Sequence, residues 1–132
     1  MSDAKRVVIP CSGIGKAFGT VGREATYQLT ETGHREDYRT ICLPLLVAGD
    51  QKAISLLKQS RVYTIDGCPK KCATLCVERT GVNVAMEVMV PKILAKNTDH
   101  KPGSVLDIGP NGVLLAKDIV NVILEEESDR DE

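Results

Sequence analysis

Val7, Val8 and Ile9 form an unbroken β-branched run between Arg6 and Pro10. A strand without alternation has no face to give to water, so it must be covered on both sides. That demand points to parallel strands joined by crossover helices. The rest of the chain reads accordingly, as short apolar runs alternating with amphipathic stretches. A glycine-rich turn leads to a helix carrying Phe18, Val21, Ala25 and Leu29, and Gly33 is placed to end it. Thr40-Ile41-Cys42 reads as a short second strand. Asp50 suits the cap of a helix whose apolar face is Ala53, Ile54 and Leu57. Arg61 to Asp66 reads as the third strand, and Pro69 and Gly81 bracket a helix over residues 69–80. Val82 to Val90 reads as a fourth strand closed by Pro91. The expected class is α/β, a three-layer Rossmann- or flavodoxin-like domain with a mainly parallel sheet of about four strands.

Beyond Lys96 the pattern loosens. Asn97 to Gly103 reads as a loop, and Val105 to Leu115 fits either a hairpin turning at Gly109-Pro110-Asn111-Gly112 or irregular chain leading to a final helix. That helix has Ile119, Val120, Ile123 and Leu124 on one face. Glu125 to Glu132 reads as a solvated, fraying end. With no internal repeat or linker, residues 1–127 are expected to form one domain, followed by an acidic, disordered tail over 128–132.

A chain of 132 residues buries enough apolar surface that a metal need not hold the fold together. Its net charge of −1 gives no electrostatic case for nucleic acid or an anionic membrane. One Phe, three Tyr and no Trp leave few rings for base stacking. There is neither a signal-peptide core nor an apolar run of the roughly 20 residues that span a bilayer. Five cysteines, an odd number without a secretory leader, fit a reducing compartment in which thiols bind metal or react. A cytoplasmic location is expected.

The chemistry lies in those thiols. Cys68, Cys72 and Cys76 recur every four residues after the third strand. In a helix each such step drifts only about 40° from a line, so Cys68 and Cys72 can face a common point at the helix start. The positive end of the helix favours thiolate there, and Lys70 and Lys71 either add to it or are simply solvated. With the first strand between the second and third, Cys11, Cys42 and Cys68 would meet at the carboxyl edge of the sheet. Cys72 completes a four-sulfur set suited to tetrahedral zinc. Cys76, on the inner side of the helix, reads as a small buried hydrophobe.

Asp66-Gly67-Cys68 with Pro69 and Cys72-Ala73, preceded by Cys11-Ser12-Gly13 and followed by Gly81, resembles the DGC-domain family. The resemblance runs from about Val7 to Val90. It implies zinc binding through four cysteines, which map onto Cys11, Cys42, Cys68 and Cys72, and it implies no particular activity. Cys76 lies outside that pattern.

Other motifs fail on single residues. The Walker loop needs glycine at Pro10 and a hydroxyl at Ala17, and the dinucleotide fingerprint needs glycine at Phe18. A phosphatase loop on Cys11 or Cys68 would need arginine at Ala17 or Thr74. His34 and His100 read as solvated, and Asp66 as the cap of the turn that follows it. No catalytic constellation emerges, so enzymatic activity is left open. The expected role is a zinc-binding protein whose closed four-thiolate shell makes the metal structural or regulatory. The alternatives are a thiol-redox pair at Cys68 and Cys72, or an iron–sulfur electron carrier. A metal ion is the expected partner, with no nucleic acid or membrane, and a protein partner is left open.

Overall fold

A computed structural model describes residues 5–11, 16–34 and 36–131. Four strands, β1 (Lys5–Pro10), β2 (Tyr38–Arg39), β3 (Ser60–Asp66) and β4 (Met86–Met89), form a parallel sheet in the order β2-β1-β3-β4. Helices α1 (Ala17–Tyr27), α2 (Leu43–Val47), α3 (Gln51–Lys58), α4 (Cys72–Arg79), α5 (Val90–Lys96) and α6 (Gly109–Asp131) cover it. The three-layer α/β arrangement expected from the sequence is the one observed, with β1 between β2 and β3.

The unbroken run in β1 is buried on both sides. Val8 joins Tyr63 and Ile65 of β3 under α1, α5 and α6, in a cluster with Val21, Ala25, Ile93, Leu115, Ile119 and Ile123. Val7 and Ile9 face the other way, with Val62, beneath Leu43 and Leu46 of α2, Leu57 of α3, and Ala73 and Val77 of α4. The strand period of two therefore sorts one continuous run into two cores.

Several boundaries differ from the sequence reading. The glycine-rich segment 12–15 lies outside the described residues. α1 passes into a π-helical turn over Gln28–Gly33, so the helical path does end at Gly33. The second strand is Tyr38–Arg39 rather than Thr40–Cys42. It pairs only with Arg6 and Val7, and Pro44 within the first turn of α2 leaves no room for a longer strand. Only Met86–Met89 of the expected fourth strand pairs with β3. Pro91 does end it, but by occupying the first turn of α5, where its missing N–H costs nothing.

The segment from Asn97 to Leu115 contains a single 3₁₀ turn, Thr98–His100, then an irregular stretch into α6, and no hairpin. Turn-forming Gly109-Pro110-Asn111-Gly112 opens this helix instead. Pro110 tolerates a first turn, and Leu115, Ala116 and Ile119 are fully buried behind it.

α6 also runs through the residues read as a fraying end, as far as Asp131. Glu127 is only 5% exposed. It accepts from Arg6 of β1 and from Nη1 of Arg61 of β3, the latter at 2.7 Å to both oxygens. Tyr38 stands nearby, 5.9 Å from the Arg6 guanidinium to its ring centre. Burial, followed by the Glu127 charge, pushes the Tyr38 phenol up to about 12 against the pull of Arg6 and Arg61.

Neither histidine is simply solvated. His34 is half-buried, edge-on to Tyr38 with centroids 6.4 Å apart. His100 Nδ1 pairs with Asp118 of α6.

Candidate metal centre

The segment Asp66-Gly67-Cys68 is built by three separate forces. Asp66 ends β3 and is 1% exposed. Its Oδ1 accepts the N–H of Ala73 at 2.8 Å, and its Oδ2 accepts the N–H of Thr74 at 3.2 Å and the Thr74 hydroxyl at 2.7 Å. Thr64 of β3 continues the chain, its hydroxyl 2.7 Å from that of Thr74. Since Thr74 donates to Asp66, Thr64 donates to Thr74. A buried carboxylate is thereby fully engaged, and the strand end is bound to the helix start. The sequence reading of Asp66 as a cap agrees with this. The hydroxyl pair has no signature in sequence, because a strand threonine and a helix threonine ten positions apart carry no joint signal.

Gly67 allows the turn to lie against α1. A Cβ at this position would stand 2.9 Å from Phe18 Cβ and 3.2 Å from the Phe18 carbonyl carbon, closer than carbon atoms pack.

Cys68 follows, half-buried, in a turn closed by the Lys71 N–H to the Cys68 carbonyl at 3.1 Å. Helix α4 starts at Cys72, not at Pro69, so Cys68 lies outside it. Lys71 is the reason. It adopts the left-handed conformation, φ 53°, the one non-glycine residue with positive φ among the described residues. No Gly or Asn marks it, so the sequence offered no warning. The first amides of α4 are taken by Asp66 rather than by a sulfur.

The two lysines differ in their surroundings. Lys70 is exposed. Lys71 Nζ lies 2.9 Å from Glu87 Oε1 of β4, whose hydrogen bond and charge raise the lysine pKa.

The remaining thiols lie around the same edge. Cys11 directly follows β1, is buried, and donates its backbone N–H to the Ile65 carbonyl at 2.8 Å. Cys42 is exposed at the N-cap of α2, and Cys72 is exposed at the start of α4. Their neighbours Leu43 and Ala73 share one buried cluster with Cys11, which relates the three segments in space. Cys76 is half-buried and packs against that cluster, in keeping with its reading as a small core side chain. Among the described residues, no three His, Cys, Asp or Glu side chains stand close enough together to hold a metal ion. The donor set suits zinc by its chemistry, five thiols with the nearest carboxylate already committed to amides. By position it offers thiols on adjoining turns rather than a formed shell.

The DGC domain profile matches residues 7–107. The chain belongs to the DGC-domain family. The match runs past the resemblance visible in the motif and takes in the irregular stretch before α6. Neither a curated protein nor a solved structure is significantly similar to the chain. The three letters of the family's motif have distinct physical work in this member. Asp66 caps α4, Gly67 admits α1, and Cys68 stands free in the turn between them. No described helix is long and apolar enough to cross a membrane.

Proposed function

We propose that this DGC-domain chain is a zinc-binding protein of the reducing cytoplasm, with Cys11, Cys42, Cys68 and Cys72 as thiolate ligands. The observation that carries the reading is the strand order β2-β1-β3, which brings three thiol-bearing connections to one edge of a parallel sheet. Open α/β sheets place their ligands at that edge, where the order reverses. Four thiolates close the shell, so the ion is structural or regulatory and binds no substrate. Loading requires the 67–71 turn and the start of α2 to close toward Cys11. The core beneath α1, α5 and α6 does not depend on that movement, whereas Leu43 and Ala73 tie the opposite core to it.

Elemental analysis of freshly purified protein, with a thiol count on the same sample, tests the reading. One zinc per chain is expected, with four thiols becoming reactive when a chelator is added. Stoichiometric zinc with no change in thiol reactivity would overturn the ligand set, and protein free of zinc would overturn the reading. A brown colour in anaerobically purified protein would instead favour an iron–sulfur cluster.

One feature favours a second reading, a redox pair. Because Cys68 stands outside α4, it escapes the parallel side-chain directions that strain a disulfide between helical positions four apart. A thiol count that rises with reductant and ignores chelator would select that reading.

A further inference from the structure

A cavity of about 450 Å³ lies between α1 and the start of α6 and shares no lining residue with the thiol segments. Arg23 reaches it from α1 with one hydrogen bond too few. Its Nη2 donates to Thr20 Oγ1 at 3.0 Å, and that hydroxyl donates to the Val105 carbonyl at 3.0 Å. Arg23 Nη1 is shielded from solvent and has no acceptor among the described residues. A covered guanidinium N–H without a partner is costly, and a rotation of the side chain into the cavity would bring it within reach of a ligand acceptor.

We propose that this cavity binds an α-amino acid with an apolar side chain, its carboxylate on Arg23 and its ammonium on the facing acids. The guanidinium fork matches the two oxygens of a carboxylate. Glu24 and Asp107 line the same cavity. Glu24 Oε2 holds Gln28 Nε2 at 3.3 Å and Asp107 Oδ1 holds the Gly109 N–H at 3.0 Å, which leaves each a second oxygen. Two acids against one arginine repel phosphates and simple anions, and they favour a ligand that brings its own cation.

The apolar part has a surface to meet. Leu106 is 97% exposed, Tyr27 53% and Val113 42%, all lining the cavity. The exposure of Leu106 is built in. Its loop is closed by the Gly103 N–H to the Ile108 carbonyl at 2.9 Å and the Ser104 N–H to the Asp107 carbonyl at 2.8 Å. A volume of this size lies within the range of small-molecule sites.

Amide-resolved NMR titration of the full chain with L-leucine tests the proposal. Saturable shifts are expected at Thr20, Tyr27 and Val113, with a Kd of about 10 mM or tighter. N-acetyl-L-leucine lacks the ammonium and isoamylamine lacks the carboxylate. Each should bind at least about tenfold more weakly, and inorganic phosphate should not bind. Arg23→Gln should weaken leucine by a similar factor without weakening isoamylamine. The proposal is overturned if leucine gives no saturable shift, if the two analogues match it, or if Arg23→Gln leaves its affinity unchanged. Should that variant fold poorly, the comparison of the three ligands on the native protein still decides.

Discussion

Asp66 Oδ1 accepts the Ala73 N–H at 2.8 Å, so the last residue of β3 holds the second residue of α4 across the turn that carries Cys68. Removing this carboxylate should act on stability and site together. Asp66→Ala strands two amides in a buried place and leaves the Thr74 hydroxyl with Thr64 alone, a loss of about 2–4 kcal/mol. Asp66→Asn keeps one acceptor oxygen and should cost less. Urea unfolding checks the order. Zinc retention should fall in both variants, because the turn between Cys68 and Cys72 loses its anchor. Stability unchanged in Asp66→Ala would mean the cap is dispensable.

Gly67→Ala should be harmful for a different reason. The added methyl meets Phe18 at 2.9 Å, and its next contacts are the backbone of Phe18 and Gly19, which cannot swing aside. Overpacking of this kind costs about 1–3 kcal/mol. Denaturant unfolding measures that cost, and thiol accessibility at Cys68 reports the displaced turn. A variant as stable as the native chain, with unchanged Cys68 reactivity, would contradict the close approach.

The cysteines should separate into ligands and packing. Serine at Cys42, Cys68 or Cys72 should abolish or sharply weaken zinc binding with little effect on folding, since Cys42 and Cys72 are exposed and Cys68 is half-buried. Cys11→Ser should lose zinc and also destabilise, because its hydroxyl enters a core position, at about 1–2 kcal/mol. Cys76→Ser should keep full zinc stoichiometry and lose about 1 kcal/mol or less. Metal content by elemental analysis, beside an unfolding curve for each variant, decides. Zinc lost in Cys76→Ser and kept in Cys42→Ser would shift the site onto the Cys68–Cys76 segment.

Glu127 should make stability sensitive to acid. Burial pushes its pKa up, but hydrogen bonds from Arg61 and Arg6 outweigh this and hold it below the ordinary value. The folded protein therefore binds this proton less readily than the unfolded chain. The stabilisation is present above the unfolded pKa and disappears as pH falls below the ordinary glutamate value of 4.5 and through the folded one. At neutral pH, Glu127→Gln should cost about 1–3 kcal/mol, discounted because both arginines are partly exposed. The gap between native and variant urea midpoints should narrow on acidification. A gap independent of pH would show that the charge contributes nothing.

Much of this architecture was legible in local sequence, where a residue's own chemistry decides its state. Asp50 reads as a cap and accepts the Ala53 N–H at 2.9 Å. Gly81 reads as a helix end and stands just beyond α4 with φ 89°. Val7-Val8-Ile9 requires cover on both faces, and the alternation of apolar runs with amphipathic stretches supplies the helices that give it. The number and spacing of the thiols, and Asp66 as a cap, were likewise visible without coordinates.

Tertiary packing decided what has no local signature. The left-handed turn at Lys71 delays α4 to Cys72 and takes Cys68 out of the helix, since Asp66 and Gly67 bind the chain to β3 and α1 before the helix can begin. Pro91 and Pro110 read as breakers yet lie in first turns, because the apolar residues that follow each find a core. Glu127 reads as part of an acidic end, and only the arrival of Arg6 and Arg61 from neighbouring strands gives it a reason to be buried. Propensity and spacing act over a few residues. Partners 66 and 121 positions away enter only once the chain has closed on itself.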